Sequence, residues 1–342
     1  MSFVCFQCGK KFEDDNTFVY DNHDYCDDCF HDNFSTCEDC RDIVSNDDVY
    51  YTANDRCICS DCFNRNYFIC GRCGEVYDTD EMNEDLWGET VCSYCYEESC
   101  EHFGIHDHDY TPDDLTFYCD EDSNESNHRY VNPHIGIELE IQGEKRNDFC
   151  VEVNKQLDRF FYLKQDGSLS TKRGIEIVSH PMTYKFINNK IIFNELFDYL
   201  KKYGMNDTDN CGLHFHIDRE YVAKTSSVAT IDYIVNHFSE YFERIGGRSI
   251  TPDADWCRKV VKTNENWGTR TYSRYCAVNL ENSDTIELRF CKSTNDYDTF
   301  MNRVKMVFAI IYFANKYTVN EIMSWTKTKF TRRFNLIMRM EF

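Results

Sequence analysis

The chain has 342 residues, 20 cysteines and a formal net charge of −23. That length suits about two or three domains. No apolar run approaches the roughly 18 residues of a membrane span, and the opening MSFVCFQCGKKF lacks the apolar core of a secretion signal. A soluble cytoplasmic protein without a membrane partner is expected.

The charge is unevenly placed. Residues 1–100 hold 24 Asp and Glu against 6 Lys and Arg, residues 101–132 hold 9 against 1, and residues 133–342 hold 27 against 30. An acidic front repels phosphate backbones, so nucleic acid is not an expected partner. A basic protein partner suits it better, or the acids simply solvate the surface.

In chain order, the first elements are cysteine pairs. Cys5/Cys8, Cys26/Cys29, Cys37/Cys40, Cys59/Cys62, Cys70/Cys73 and Cys92/Cys95 are all C-x-x-C, the spacing that presents two thiolates to one zinc. Without an export signal, metal is favoured over disulfides. The pairs recur with a period of about 33, and apolar positions recur with them: Phe30, Phe63 and Tyr96 after each closing pair, Phe12, Val44 and Tyr77 after each opening pair. Three modules follow, at 1–33, 34–66 and 67–98. Each is too small for an adequate core, so zinc would supply much of its folding energy. Pairing within each repeat gives three complete sites; shifting by one pair gives two sites and orphan pairs at the ends. The pattern resembles LIM-type or zinc-ribbon modules of the zinc-finger class, but the seven residues between Cys29 and Cys37 exceed the LIM spacer. His23 is expected at the surface and Cys57 as a free buried thiol. Residues 99–132, rich in Asp, Glu, Ser and Asn, read as an acidic linker, with Tyr110, Phe117 and Tyr118 available to pack along the following domain. Its Cys100, His102, His106, His108 and Cys119 make a fourth metal site or an incidental cluster.

From 133 onward the pattern is of strands and helices. Strands are expected at 134–142, 161–165 and 173–179, then through His214 and His216. A hairpin is expected from 274–281 and 284–290, turning at Asn282-Ser283-Asp284. Helices are expected at about 147–161, 183–203 and 228–244, with two more closing the chain. Strands separated by long helices, ending in a hairpin, indicate an α+β domain: a curved, mainly antiparallel sheet with helices outside. In a strand, residues two apart share a face. Glu138 with Glu140, His214 with His216 and Glu287 with Arg289 therefore project in pairs. Such buried charge needs a compensator, and divalent metal with phosphate is the obvious one. Cys211, Cys276 and Cys291 read as small core residues.

The motifs GIELE, DGSL, GIEIVSHP, CGLHFHI, RTYSRYCAVNL and TIELRF, in this order from about Pro133 to the C-terminus, resemble the phage-type amidoligases. These belong to the carboxylate–amine ligase superfamily of glutamine synthetase and glutamate–cysteine ligase. The resemblance implies a half-barrel sheet with the site on its concave face. It also implies an ATP- and Mg2+-dependent ligase that forms an amide through an acyl phosphate, acting on a peptide, protein or amino-acid substrate. On that reading Glu138, Glu140 and Glu176 hold one group of magnesium ions, and His214 and Glu287 hold the ion near the γ-phosphate. His216 lies nearer ATP or substrate. Arg289, with Arg270 and Arg274, contacts the transferring phosphate. Asp166 and Ser168 orient substrate or metal, and Asn279 points into the site. Two other classes stay open: an inactive zinc-stabilised interaction scaffold and a metal-dependent hydrolase. Mg2+-dependent ATP turnover separates them.

Overall fold

A computed structural model describes residues 2–13, 17–85, 87–119, 132–189, 191–222, 224–262, 266–269 and 273–342. The chain divides into two compact units, Met1–Ser99 and Cys100–Phe342.

In the first unit the repeat is visible as backbone geometry. Each opening cysteine starts the same tight turn: the carbonyls of Cys5, Cys37 and Cys70 accept from the N–H groups of Gly9, Arg41 and Gly74, each at 2.9 Å. Those three residues have φ of 68°, 67° and 79°. Each closing cysteine precedes a helix, Asp27–Asn33, Ser60–Asn66 or Ser93–His102. The first two helices run directly into strands Phe34–Thr36 and Tyr67–Ile69, which open the second and third repeats and pair there with Ile43–Ser45 and Val76–Asp78. The modules are thus interlocked and not separate beads. Tyr67 and Val76 of the third repeat share a small core with Cys37, Ile58, Cys59 and Cys62 of the second. A unit of this size buries little, and borrowing a neighbour's side chains enlarges its core.

The second unit is α+β. Its strands are β1 (Ile105–His106), β2 (His134–Gln142), β3 (Phe161–Lys164), β4 (Gly174–Ser179), β5 (Met182–Thr183), β6 (Gly212–Asp218), β7 (Val278–Asn279) and β8 (Thr285–Lys292). They form one curved open sheet in the order β1-β3-β4-β2-β6-β8-β7, with β5 also on β2. Every pairing is antiparallel except β1 with β3. The helices are α1 (Arg146–Leu157), α2 (Tyr184–Asn188), α3 (Ile191–Lys202), α4 (Thr225–His237), α5 (Ser239–Gly246), α6 (Tyr297–Lys316), α7 (Val319–Ile322) and α8 (Lys327–Met338). One sheet face is mainly apolar: Ile135, Ile137, Leu139, Ile141, Leu213, Phe215, Ile286 and Leu288 are buried. Helices cover it, with Phe193 of α3 edge-on to Phe161 and Phe242 of α5 against Phe290.

Several sequence expectations are corrected. Residues 100–119 are not a linker. They belong to the second unit, supply its edge strand β1 and bury Phe103 and Ile105. Residues 120–131 of the expected linker lie outside the described residues. The helix expected at 183–203 is two helices parted near Asn189, whose N–H closes a tight turn onto Lys185 and Phe186. The helix expected at 228–244 breaks at Phe238, whose ring stacks on Phe330 at 4.0 Å. The hairpin strand expected at 274–281 is shorter: Val278 and Asn279 pair with β8, Arg289 of β8 donates its N–H to the Ala277 carbonyl, and Cys276 bridges to Arg258. The chain closes with three helices, since Thr318 and Glu321 form a capping box that starts α7.

Candidate active site and metal centres

The twelve paired cysteines gather into three groups within single repeats: Cys5, Cys8, Cys26 and Cys29; Cys37, Cys40, Cys59 and Cys62; Cys70, Cys73, Cys92 and Cys95. In each group the four sulfurs lie within 4.8 Å of one another. The arrangement with three complete sites is therefore the one present, and four thiols at this spacing suit Zn2+. The opening thiol of each group is primed. Burial pushes Cys5, Cys37 and Cys70 upward, but backbone N–H groups of the knuckle and of the closing cysteine outweigh it and bring each down to about 6. Thiolate is the form that binds metal. His23 is exposed and packs its ring on Phe6. Cys57 was expected to be buried but is half-buried at a strand end, where its N–H donates to Glu38. Of the residues weighed as a fourth site, Cys100 accepts from Gln165 Nε2 at 3.1 Å and His106 stacks on Tyr110 at 3.7 Å.

The sheet register assembles the second site. Lys164 opposes Glu176, which opposes Glu140. Tyr162 opposes Val178, which opposes Glu138, which opposes His214. Gly136 opposes His216, which opposes Glu287, which opposes Asn279. Directly opposed residues share a face, so these rows make one polar surface opposite the apolar one. A bulge between Leu213 and Phe215 shifts the register of β6 on β8 beside His214.

Glu138 is central. Its two oxygens lie 3.3 Å from His214 Nδ1 and 3.1 Å from His216 Nε2. His214 also lies 3.7 Å from Glu140 and 3.7 Å from Glu287. Glu287 is paired with Arg289 and accepts from Asn279 Nδ2 at 2.8 Å. Glu176 lies 3.8 Å from Lys164. Glu140, Glu176, His214, Asn279 and Glu287 are buried.

Burial drives the Glu176 carboxyl well above its usual range, and the charge of Glu138 adds to this while Lys164 opposes it. Glu138 goes the other way: burial would raise it, but His216 and His214 hold it well below. Burial would lower His216, yet Glu138 and then Glu287 raise it to about 9.

Two triads of this surface, Glu138–Glu176–His214 and Glu138–His216–Glu287, have ligand atoms close enough to share an ion. The buried Nε2 atoms of His214 and His216 face Glu140 and Glu138 at 3.7 Å and 3.1 Å. Together these triads offer three carboxylates and two imidazoles as potential metal ligands.

The remaining expected residues are less central. Asp166 and Ser168 hydrogen-bond each other in a turn and are not drawn into the cluster, though the Asp166 charge is felt at Glu176. Arg274 is exposed, hydrogen-bonded to the Tyr275 hydroxyl at 2.9 Å and stacked over that ring. Arg270 lies outside the described residues. Two residues of the face were missed. Lys164 is close to Glu176, and the half-buried Tyr162 phenol is pushed up by burial and by the charges of Glu138 and Glu176. The signal was present, because Tyr162 and Lys164 alternate with Phe161 and Leu163. Cys211, Cys276 and Cys291 are buried. No helix among the described residues is long and apolar enough to cross a membrane. Comparison with known protein families and with curated proteins finds no match.

Proposed function

We propose that the second unit is an ATP- and Mg2+-dependent ligase of the carboxylate–amine superfamily, similar to the phage-type amidoligases. It would form an amide on a peptide, protein or amino-acid substrate in the cytoplasm. The observation that carries this reading is the convergence on one sheet face of Glu138 and Glu140 from β2, Glu176 from β4, His214 and His216 from β6, and Glu287 and Arg289 from β8. A carboxylate reacts with an amine only once activated. Transfer of the γ-phosphoryl group makes an acyl phosphate and releases ADP; attack by the amine then releases phosphate. Glu138, Glu140, Glu176, His214 and Glu287 would hold Mg2+, which neutralises phosphate oxygens. Arg289, oriented by Glu287, presents a planar fork to the transferring group, and His216 stands beside it. Asn279 fixes the second oxygen of Glu287. The first unit, with structural Zn2+ in its three thiol groups, would dock a basic protein partner through its acidic surface.

The test is Mg2+-dependent ADP release stimulated by carboxylate and amine together. Glu140→Gln keeps shape and removes charge, and should lower turnover on the order of 100-fold while the protein stays folded. Arg289→Lys should also lower it, because an ammonium does not reproduce the fork. Equal rates for folded wild type and Glu140→Gln would remove this face from the chemistry and leave the scaffold reading. Amide cleavage without ATP would support the hydrolase.

A further inference from the structure

We propose that Arg248 forms an oxyanion-binding subsite at the Glu140 end of the polar face, taking a phosphate or carboxylate group beside His214. The inference rests on the reading of this face as a site for metal and phosphate.

The backbone builds this position deliberately. Helix α5 ends at Gly246, and Gly247 adopts φ 87°, a left-handed conformation open to glycine. The turn brings Arg248 back over Gly212, the first residue of β6. A Cβ on Gly212 would lie 2.5 Å from His214 Nε2, 2.8 Å from Arg248 Nη1 and 3.0 Å from Arg248 Nη2. The imidazole and the guanidinium therefore share the space left by a missing side chain. The N–H of Gly212 donates to Glu140 Oε2. A carboxylate, an imidazole and a guanidinium thus converge on one glycine.

Arg248 is loosely held. Among the described residues its hydrogen bonds go to the carbonyls of Arg289 at 3.5 Å and Asn210 at 3.4 Å. Both are long against the usual value of about 2.9–3.0 Å. Among the described residues it forms no ion pair, whereas Arg289 is held by Glu287. A guanidinium has five donors in a planar fork that matches two oxygens of a phosphate or carboxylate. Arg248 is only half-buried, so ligand can approach it. Arg289 and Arg248 then differ in kind: the first is oriented by a carboxylate of the protein, and the second has no carboxylate partner among the described residues.

The test titrates inorganic phosphate, and separately acetate, into the full-length Mg2+-loaded protein by calorimetry. Arg248→Gln should weaken one or both by about tenfold or more, the loss of a charged bidentate contact. Lys292→Gln, a neighbouring charge paired with Asp209, should change neither. Loss for phosphate alone assigns the subsite to a phosphoryl group, and loss for acetate alone to a carboxylate. On the wild type, phosphate or acetate should protect Arg248 from phenylglyoxal, which keeps the proposal testable if the variant misfolds. Equal binding by wild type and Arg248→Gln, or no protection, overturns it. ADP release on the same samples separates the two readings. Arg248-dependent anion binding without ADP release would leave the subsite standing and remove the ligase. ADP release with anion binding indifferent to Arg248 would do the reverse.

Discussion

Glu138 sits between two histidines, and that position decides what each can do. Without metal, His216 answers the charges of Glu138 and Glu287 by holding its proton up to about 9, against an ordinary 6.5. A raised histidine contributes stability that is complete below 6.5 and is lost as pH rises through about 9. A cation on Glu138 and Glu287 would take up the charge that supports the imidazolium. Added Mg2+ should therefore move the His216 titration, followed by NMR of its ring protons, down from about 9 toward 6.5. An unchanged titration at saturating Mg2+ would show that the acids do not take the ion. The pairing of Glu138 with His214 and His216 was legible from the alternation of GIELE and HFH. The closeness of Lys164 to Glu176 was not, because it depends on the register of β3 on β4, which no local pattern of charges specifies.

At the scale of elements, the zinc knuckles show how a repeated turn tolerates different residues. Gly9 and Gly74 stand at the left-handed position in the first and third repeats, and Arg41 stands there in the second. A Cβ on Gly74 would meet nothing within 4 Å. Gly74→Ala therefore costs only conformational energy, about 1 kcal/mol. It should weaken zinc retention against a chelator in the third site by roughly fivefold. Arg41→Ala should leave the second site unchanged, since that strain is already carried there. Equal chelator sensitivity of Gly74→Ala and wild type would mean that the turn relaxes once metal binds. Long strands whose apolar residues recur at every second position, such as β2 and β8, were readable from sequence because one face must stay dry. The two-residue strands β1 and β5 and the helix break at Phe238 were not. Their existence depends on tertiary partners, such as Phe330 under Phe238, and not on local periodicity.

At the scale of the molecule, composition separated an acidic cysteine-rich front from a near-neutral remainder, and it misplaced the boundary. Asp and Glu in residues 101–119 suggested a solvated connection. A few apolar side chains among them outweigh that charge. Phe103 and Ile105 are buried, and Asn154 Nδ2 on α1 donates to the Gly104 carbonyl at 3.2 Å. Further on, Tyr118 donates its N–H to Pro181 at 2.9 Å and accepts from Thr183 at 3.0 Å. Metal analysis of the intact chain should find about three Zn2+, one for each thiol group, and a chelator should unfold the first unit while sparing the second. Two fragments then locate the boundary. Residues 100–342 should fold cooperatively, because they keep β1 beside β3 and the Tyr118 contacts. Residues 132–342 lose both. Removing Phe103 and Ile105 forfeits about 1.5–3 kcal/mol each in buried apolar surface. The loss of β1 also uncovers the backbone of β3 beside Leu163, a further cost for an unpaired edge. Against a total stability of about 5–15 kcal/mol, the shorter fragment should melt many degrees lower or aggregate. Thermal unfolding followed by circular dichroism decides it: equal melting temperatures for the two fragments would return residues 100–119 to the status of a linker.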